Sequence, residues 1–357
     1  MTDPTPATPR FALPPLENDL LLRAVNHLPV PRVPAWLMRQ AGRSDPEYLA
    51  YRERAGLGLR ELFRHPGHAV EISLLPRRIG VDAIILFQDI LTPLAPMGAD
   101  FDFAPGPVLA EPVRTAERVA SLRPYDPAAA LGFVGESIAG VLDRLEGALP
   151  LLGFAGAPFT LAAFMIEGRS PGAALPATEA FIRDQPEAFG DLTHRLTDMT
   201  LAYLNYKLDC GVHAVQLFES LGHLASREVY ERYIQPSHRR IAAGLQARAP
   251  LILFVRGSPF PDLMLASGAA VLSVAENVTV GDMLARGGGR VAVQGNVDNR
   301  LLAEGTPEQV AAAVHRCLAE GGGRGHILNL NHGILSHTPF ENVCRFITAA
   351  REVGFFA

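Results

Sequence analysis

Short apolar runs recur along the chain, each followed by a polar or glycine-containing turn and then a helical pattern. Eight can be picked out: RVPAWLM (32–38), AIILF (83–87), PLLGFAG (150–156), AVQLFES (214–220), LILFVRG (251–257), AAVLSVAE (269–276), VAVQGNV (291–297) and HILNLN (326–331). Runs apolar at successive positions are buried on both faces, which suits parallel strands covered by helices. The intervening stretches, such as EAFGDLTHRLTDMTLAYLNYKLD (187–209) and TPEQVAAAVHRCLAEG (306–321), carry apolar residues at the helical period. Alternation of this kind, repeated eight times, predicts an α/β fold, a single (β/α)8 TIM-type barrel. The barrel is expected over residues 18–357. Residues 1–17, rich in proline and without a basic-then-apolar signal, read as a flexible N-terminal arm and not as a targeting peptide.

Local signals punctuate the pattern. Ser44 and Glu47 have capping-box spacing around Pro46, and Thr338, Pro339 and Glu341 repeat the device. EGGGRG (320–325) should end a helix before the last strand. The proline-rich stretch 92–125 has room for a hairpin or a long loop. Residues 149–166 carry no charge over a span-like length, but Pro150, Gly153, Gly156 and Pro158 interrupt them. A buried strand, a turn and a helix start fit that stretch better than a membrane span.

Hydrophobic residues make up 48% of the 357, ample for a packed core, and the net charge is −5 with both signs mixed. That balance argues against nucleic acid as the partner. An anionic ligand would need a local arginine cluster. Cys210, Cys317 and Cys344 are widely spaced, without C-x-x-C, so a disulfide framework is not expected and a reducing, cytoplasmic setting is.

In such a barrel the C-terminal strand ends open on one face, where ligands sit. The polar residues that fall there are Arg39, Gln40 and Arg43; Gln88 and Asp89; Glu219 and Ser220; Arg256; Glu276; Asn296; and Asn331 with His332. Arginine forks bind carboxylates bidentately, and Asp89, following an apolar run, is placed to stabilise a cation or accept N–H bonds. Each residue also has a structural reading. Arg39 and Arg43 can pair with Asp45 or Glu47, Asp89 can cap the next turn, Ser220 can be a turn hydroxyl, His332 a loop histidine, and Arg256 with Glu276 an ion pair.

MRQAGRSDPEY (38–48) and GFAGAPFTLAAFMIEG (153–168) resemble the two signatures of the uroporphyrinogen decarboxylase family. AIILFQDIL, AVQLFES followed by LGHL, VAVQGNVD and NLNHGIL resemble further segments of it in the same order, so the likeness spans roughly residues 18–350. The resemblance implies a homodimeric (β/α)8 lyase with no cofactor and no metal, which converts the four acetates of uroporphyrinogen III to methyl groups in haem and chlorophyll synthesis. It implies that Arg39, Gln40, Ala41, Gly42 and Arg43 form a substrate-binding loop, that Asp89 is the central catalytic carboxylate with Arg39 beside the reacting acetate, and that Ser220 and His332 contact substrate side chains.

There are departures. Phe164 stands where the family has tyrosine and is expected to line the substrate pocket, with Gln88 or a water as a substitute source of the missing hydrogen bond. Gln88 replaces serine, Ala275-Glu276 replaces Asp-Trp, NLNHG replaces N-L-G-H-G, and Ser44 stands at a tyrosine-type position. Two rival readings follow: a non-catalytic tetrapyrrole-binding paralogue, and a cobalamin-dependent methyltransferase on the same barrel. The latter would need a zinc–thiolate site, and no H-x-C pair is present.

Overall fold

Seven of the eight apolar runs become strands of one parallel sheet in the computed structural model, which describes residues 10–12, 14–103, 106–245 and 248–354. In chain order the described strands are β1 (Ile84–Ile85), β2 (Asp102–Phe103), β3 (Pro107–Val108), β4 (Leu151–Gly156), β5 (Ala214–Glu219), β6 (Leu251–Val255), β7 (Val271–Ser273), β8 (Ala292–Gln294) and β9 (His326–Ile327). The sheet runs β1-β4-β5-β6-β7-β8-β9, while β2 and β3 form a separate antiparallel hairpin within the proline-rich stretch. Helices separate most of the strands, as the periodicity predicts; the longest, Pro186–Asp209, covers β4 and β5.

The opening run, 32–38, supplies the eighth stave in reduced form. Ala35 makes one parallel bridge to Leu328, with Trp36 N–H donating to Leu328 O and Leu328 N–H to Pro34 O at 2.9 Å. On the other side Asp82 N–H donates to Ala35 O at 2.8 Å, so the segment joins the last stave to the first and closes the barrel. Proline at 34 has no N–H to give, which is one reason the ladder stops short there. A carboxylate makes up the difference. Asp82, 1% exposed, accepts from Ala35 N–H at 2.8 Å, from both terminal nitrogens of Arg32 and from Asn18 Nδ2 at 2.7 Å. The bond to Asp82 in turn raises the Arg32 pKa.

The uncharged stretch 149–166 is a fully buried strand, β4, followed by the helix Pro158–Glu167. No helix among the described residues is long and apolar enough to cross a membrane. Gly153 has a packing role: a Cβ there would lie 3.2 Å from both Lys207 Cδ and Val212 Cγ2. The helix Pro307–Gly321 ends at Gly322, which has φ 64°, inside the expected glycine run.

The expected caps shift by a residue. Asp45, not Ser44, caps the helix Pro46–Ala55, accepting from Glu47 N–H at 2.9 Å. Pro46 occupies the first helical position, so the residue directly before it must be the cap. At the helix Phe340–Glu352 the cap position is Pro339 itself, and Thr338 lies one residue too early to bond the first turn. Of the arm expected over 1–17, residues 1–9 and 13 lie outside the described residues. Within the rest, Phe11 is buried and exchanges hydrogen bonds with the Asn26 side chain, and Glu17 N–H donates to Gly147 O.

Asp82→Ala should destabilise the fold by about 3–5 kcal/mol, since it strands the Arg32 charge and frees the closing segment. Urea denaturation measures this. A loss under about 1 kcal/mol would mean that the Ala35 bridge holds the barrel closed without the carboxylate.

Candidate active site

A cavity of about 570 Å³ opens at the C-terminal ends of the strands. Its floor is aromatic. Phe154 of β4, Phe218 of β5 and Phe254 of β6 meet edge to face, with centroids 5.5 and 5.6 Å apart, and Phe254 meets the His332 ring at 5.7 Å. Phe164, from the helix after β4, lines the cavity and packs on Phe101. Phe103 and Pro107 of the hairpin border it as well.

The loop after the opening segment brings Arg39, Ala41, Gly42 and Arg43 to the cavity. Arg39 and Arg43 have φ of 64° and 57°, and Gly42 of 104°. Left-handed backbone at non-glycine residues costs of order 1 kcal/mol each and collects at functional sites. Gly333 lets the Arg39 stem pass, because a Cβ there would lie 2.6 Å from Arg39 Cδ. Gln40 is not brought in with the others. It is buried, accepting from Leu37 N–H at 3.1 Å and donating to Ala83 O at 2.9 Å, so it pins the loop to the sheet.

The ion pairs open to Arg39 and Arg43 go elsewhere. Arg78 binds both Asp45 and Glu47. Arg256 does not pair with Glu276 either; Glu276 accepts from Asn331 Nδ2 at 2.9 Å. Among the described residues no carboxylate lies within ion-pairing distance of Arg39, Arg43 or Arg256. Loss of surrounding water lowers the Arg39 pKa to about 10, with Arg43 and Arg256 adding to the effect. Burial, with Arg39 and Arg256 next, lowers His332 to about 4. His332 is therefore neutral near pH 7. Its Nδ1 accepts from Gly333 N–H at 2.8 Å, which leaves the proton on Nε2 as a donor.

Asp89 borders the same cavity. Its Oδ1 accepts from Leu91 and Thr92 N–H at 2.6 and 2.7 Å, and its Oδ2 from the Thr92 hydroxyl. The turn-capping role is thus real, and it is compatible with a role toward ligand, since a carboxylate has further lone pairs. Ser220 also lines the cavity. Gln88 also lines the cavity; its Nε2 donates to Phe63 O at 2.7 Å, and its buried Oε1 has no partner among the described residues. Asn296 and Asn331 bond neighbouring loops, and Glu219 is buried behind the rim.

The sequence reading missed three residues. Tyr48 and Arg52 line the cavity from the helix Pro46–Ala55, and their i, i+4 spacing just after the arginine loop was the available signal. Lys207 is fully buried behind Phe154, donating to Phe154 O at 2.6 Å, with its ammonium 4.2 Å from the Tyr203 ring centroid. Its position in the helix was the available signal, since it falls on the buried stripe four residues after Tyr203 and seven after Thr200.

Burial lowers the Lys207 pKa to about 7, against the opposing pull of Asp89. The unfolded chain therefore binds the extra proton between about pH 7 and the ordinary lysine value, and this residue's contribution to stability rises with pH across that window. Lys207→Met should be favoured over the parent most at pH 6–7, with its advantage shrinking toward pH 10. Urea unfolding of both proteins across that range tests it; a difference independent of pH would show that Lys207 does not titrate there.

The family model described as uroporphyrinogen decarboxylase (URO-D) matches residues 16–353. A uroporphyrinogen decarboxylase from Trichlorobacter lovleyi is 41% identical over 331 residues, covering 91% of this chain and 96% of that protein. One from Geobacter metallireducens is 40% identical over 342 residues, covering 94% and 99%. Among solved structures, a methyltransferase from Methanosarcina mazei superposes with a TM-score of 0.79 at 19% identity, covering 96% of this chain and 99% of that one. A B12-independent methionine synthase from Shewanella sp. W3-18-1 gives 0.57 at 15%, covering 90% and 95%. These two likenesses concern the barrel fold alone. With its two signature segments meeting at one cavity, and near-full-length relatives at about this level of identity, the chain belongs to the uroporphyrinogen decarboxylase family.

Proposed function

We propose that the chain is a cytoplasmic, homodimeric carboxy-lyase that removes the acetate carboxyl groups of uroporphyrinogen to give coproporphyrinogen, without cofactor or metal. The observation that carries this reading is the pairing of an aromatic floor with arginines that have no carboxylate partner among the described residues. A macrocycle with an apolar face and carboxylates around its edge is complementary to both parts. Each charge-assisted bond to such a carboxylate contributes roughly 1.5–3 kcal/mol.

Losing carbon dioxide from a pyrrole acetate leaves a carbanion, which needs an electron sink. Protonation of the adjacent ring carbon makes the pyrrole an iminium-like cation that accepts the electron pair. Asp89, held by Leu91 and Thr92, is the counter-charge for that cation and an acceptor for the pyrrole N–H groups. Neutral His332 donates from Nε2 to a substrate side chain, and Ser220 faces another from the opposite wall. Arg39 serves as binder and orienter more than as acid. Its pKa is lowered in the arginine cluster, and a bound carboxylate beside it would raise it again. The proton is better supplied by water or by a substrate carboxylic acid.

The methyltransferase reading has little support beyond the barrel. Among the described residues no group of three or more His, Cys, Asp or Glu side chains is arranged to hold a metal ion. The paralogue reading rests on Phe164.

Anaerobic turnover of uroporphyrinogen by the purified protein is the primary test. Asp89→Asn keeps an acceptor for the Leu91 and Thr92 amides while removing the charge. It should fold normally and lose on the order of 100-fold or more in kcat. Arg39→Ala should lose activity comparably. Near-normal turnover in either variant would reject the role given to that residue.

Phe164→Tyr should alter turnover less than about tenfold, because an aromatic wall is kept and a typical hydrogen bond contributes about 0.5–1.5 kcal/mol net, against the roughly 1.4 kcal/mol that a factor of ten represents. If the parent is inactive and Phe164→Tyr restores turnover, the paralogue reading wins.

A further inference from the structure

Behind the rim, a buried polar chain links two walls of the cavity. Thr160 sits in the first turn of the helix Pro158–Glu167, four residues before Phe164 and so on the same helical face. It is fully buried. Its hydroxyl donates to Glu219 Oε1, at the end of β5, and accepts from Ser220 N–H at 2.8 Å and Leu221 N–H at 3.2 Å. Glu219 Oε1 also accepts from Gly222 N–H at 3.1 Å. Gly222 has to be glycine here, since a Cβ would lie 2.8 Å from Glu219 Cγ. Glu219 is itself fully buried, and its Oε2 faces His238 Nε2 at 3.5 Å.

The arrangement is costly for a purpose that is only structural. A buried carboxyl group takes the Thr160 hydroxyl and the Gly222 amide on one oxygen and faces His238 with the other, and the threonine hydroxyl in turn holds the two amides that begin the loop after β5. The first of those amides belongs to Ser220, which lines the same cavity as the arginine loop. Threonine is suited to the role because one hydroxyl can donate and accept at the same time. Valine has nearly the same shape and can do neither.

We propose that Thr160 and Glu219 are positioning residues for substrate binding: they fix Ser220 at the distance from the Phe164 wall at which its hydroxyl meets a substrate side chain. This rests on the reading of Ser220 as a substrate contact. The network acts on binding more than on the bond-breaking step, because Ser220 lies on the wall and Asp89 on a different loop.

Steady-state kinetics of four variants test the proposal. Ser220→Ala should raise KM about tenfold with kcat within about threefold, the signature of lost uniform binding. Thr160→Val should do the same, and Thr160→Ser, which restores the hydroxyl, should bring KM back to within about twofold of the parent. Thr160→Val combined with Ser220→Ala should be no worse than Ser220→Ala alone by more than about twofold, since the two act through one contact. The proposal is overturned if Thr160→Val leaves KM unchanged while Ser220→Ala raises it, or if the two effects multiply. If Ser220→Ala alone leaves KM unchanged, it is the Ser220 contact that fails, and with it any network acting through that contact. Should Thr160→Val not fold, Thr160→Ala gives the same readout.

Discussion

The architecture depends on the Asp82 carboxylate. A parallel barrel needs every stave in place, and the opening segment, interrupted by proline at 34, offers little more than a single bridge. Asp82 supplies what the ladder lacks by gathering Ala35 N–H, Arg32 and Asn18 onto one buried side chain. Everything that follows Ala35 in the chain inherits that fixed point. Met38 N–H is taken by Asn329 Oδ1, Ile334 N–H by Met38 O, and Gln40 reaches Ala83 O. The arginine loop therefore leaves the barrel from a tied base, and its left-handed residues can be held in place.

The second constraint is electrostatic. Like charges brought together without counter-ions raise the energy of the free site, and that cost is recovered when an anion binds. The arginine cluster is kept in this state by what surrounds it. Arg78 occupies Asp45 and Glu47, and Asn331 occupies Glu276, so the nearby acids are already engaged. Asp89 is kept from collapsing onto an arginine by two backbone amides and a hydroxyl of its own turn. Each acid engaged in this way leaves an arginine without a carboxylate partner among the described residues.

The parts legible in the sequence are those set by local pattern. The apolar runs gave the staves and their order, because burial on both faces leaves an uninterrupted hydrophobic signature. Part of the rim followed, because a strand's end is also the point where its apolar run stops: Arg39, Arg43, Gln88, Asp89, Ser220 and His332 line the cavity, while Gln40, Glu219, Arg256, Glu276, Asn296 and Asn331 are not among its lining residues. What stayed hidden depends on the direction of a side chain. Gln40 sits within the loop motif yet points back to the sheet, and Gln88, beside Asp89 in the cavity wall, commits its amide nitrogen to Phe63 O. Neither choice leaves a trace in spacing. Lys207 was legible in part: it falls on the buried stripe of its helix with Thr200 and Tyr203, while the close approach of Gly153, distant in sequence, leaves no mark in the helical period. The cap at Asp45 was partly recoverable, since proline favours the first helical position, although at Phe340–Glu352 the proline stands at the cap itself.

Lys207, behind Phe154, interacts electrostatically with Asp89, and Arg39 and Arg43 line the same cavity as Asp89. They differ in what binding does to them. On the proposed reading, docked carboxylates would neutralise the field of the arginines at Asp89. Lys207 lies behind Phe154, out of reach of any ligand carboxylate, and its field on Asp89 does not change when substrate arrives. A cation forming over the aromatic floor would then experience Asp89 offset by whatever charge Lys207 carries. A neutral amine at that position favours the cation more than an ammonium does. Burial shifts Lys207 in that direction, so the apolar packing that conceals the lysine also limits its opposition to the chemistry on the other side of the sheet.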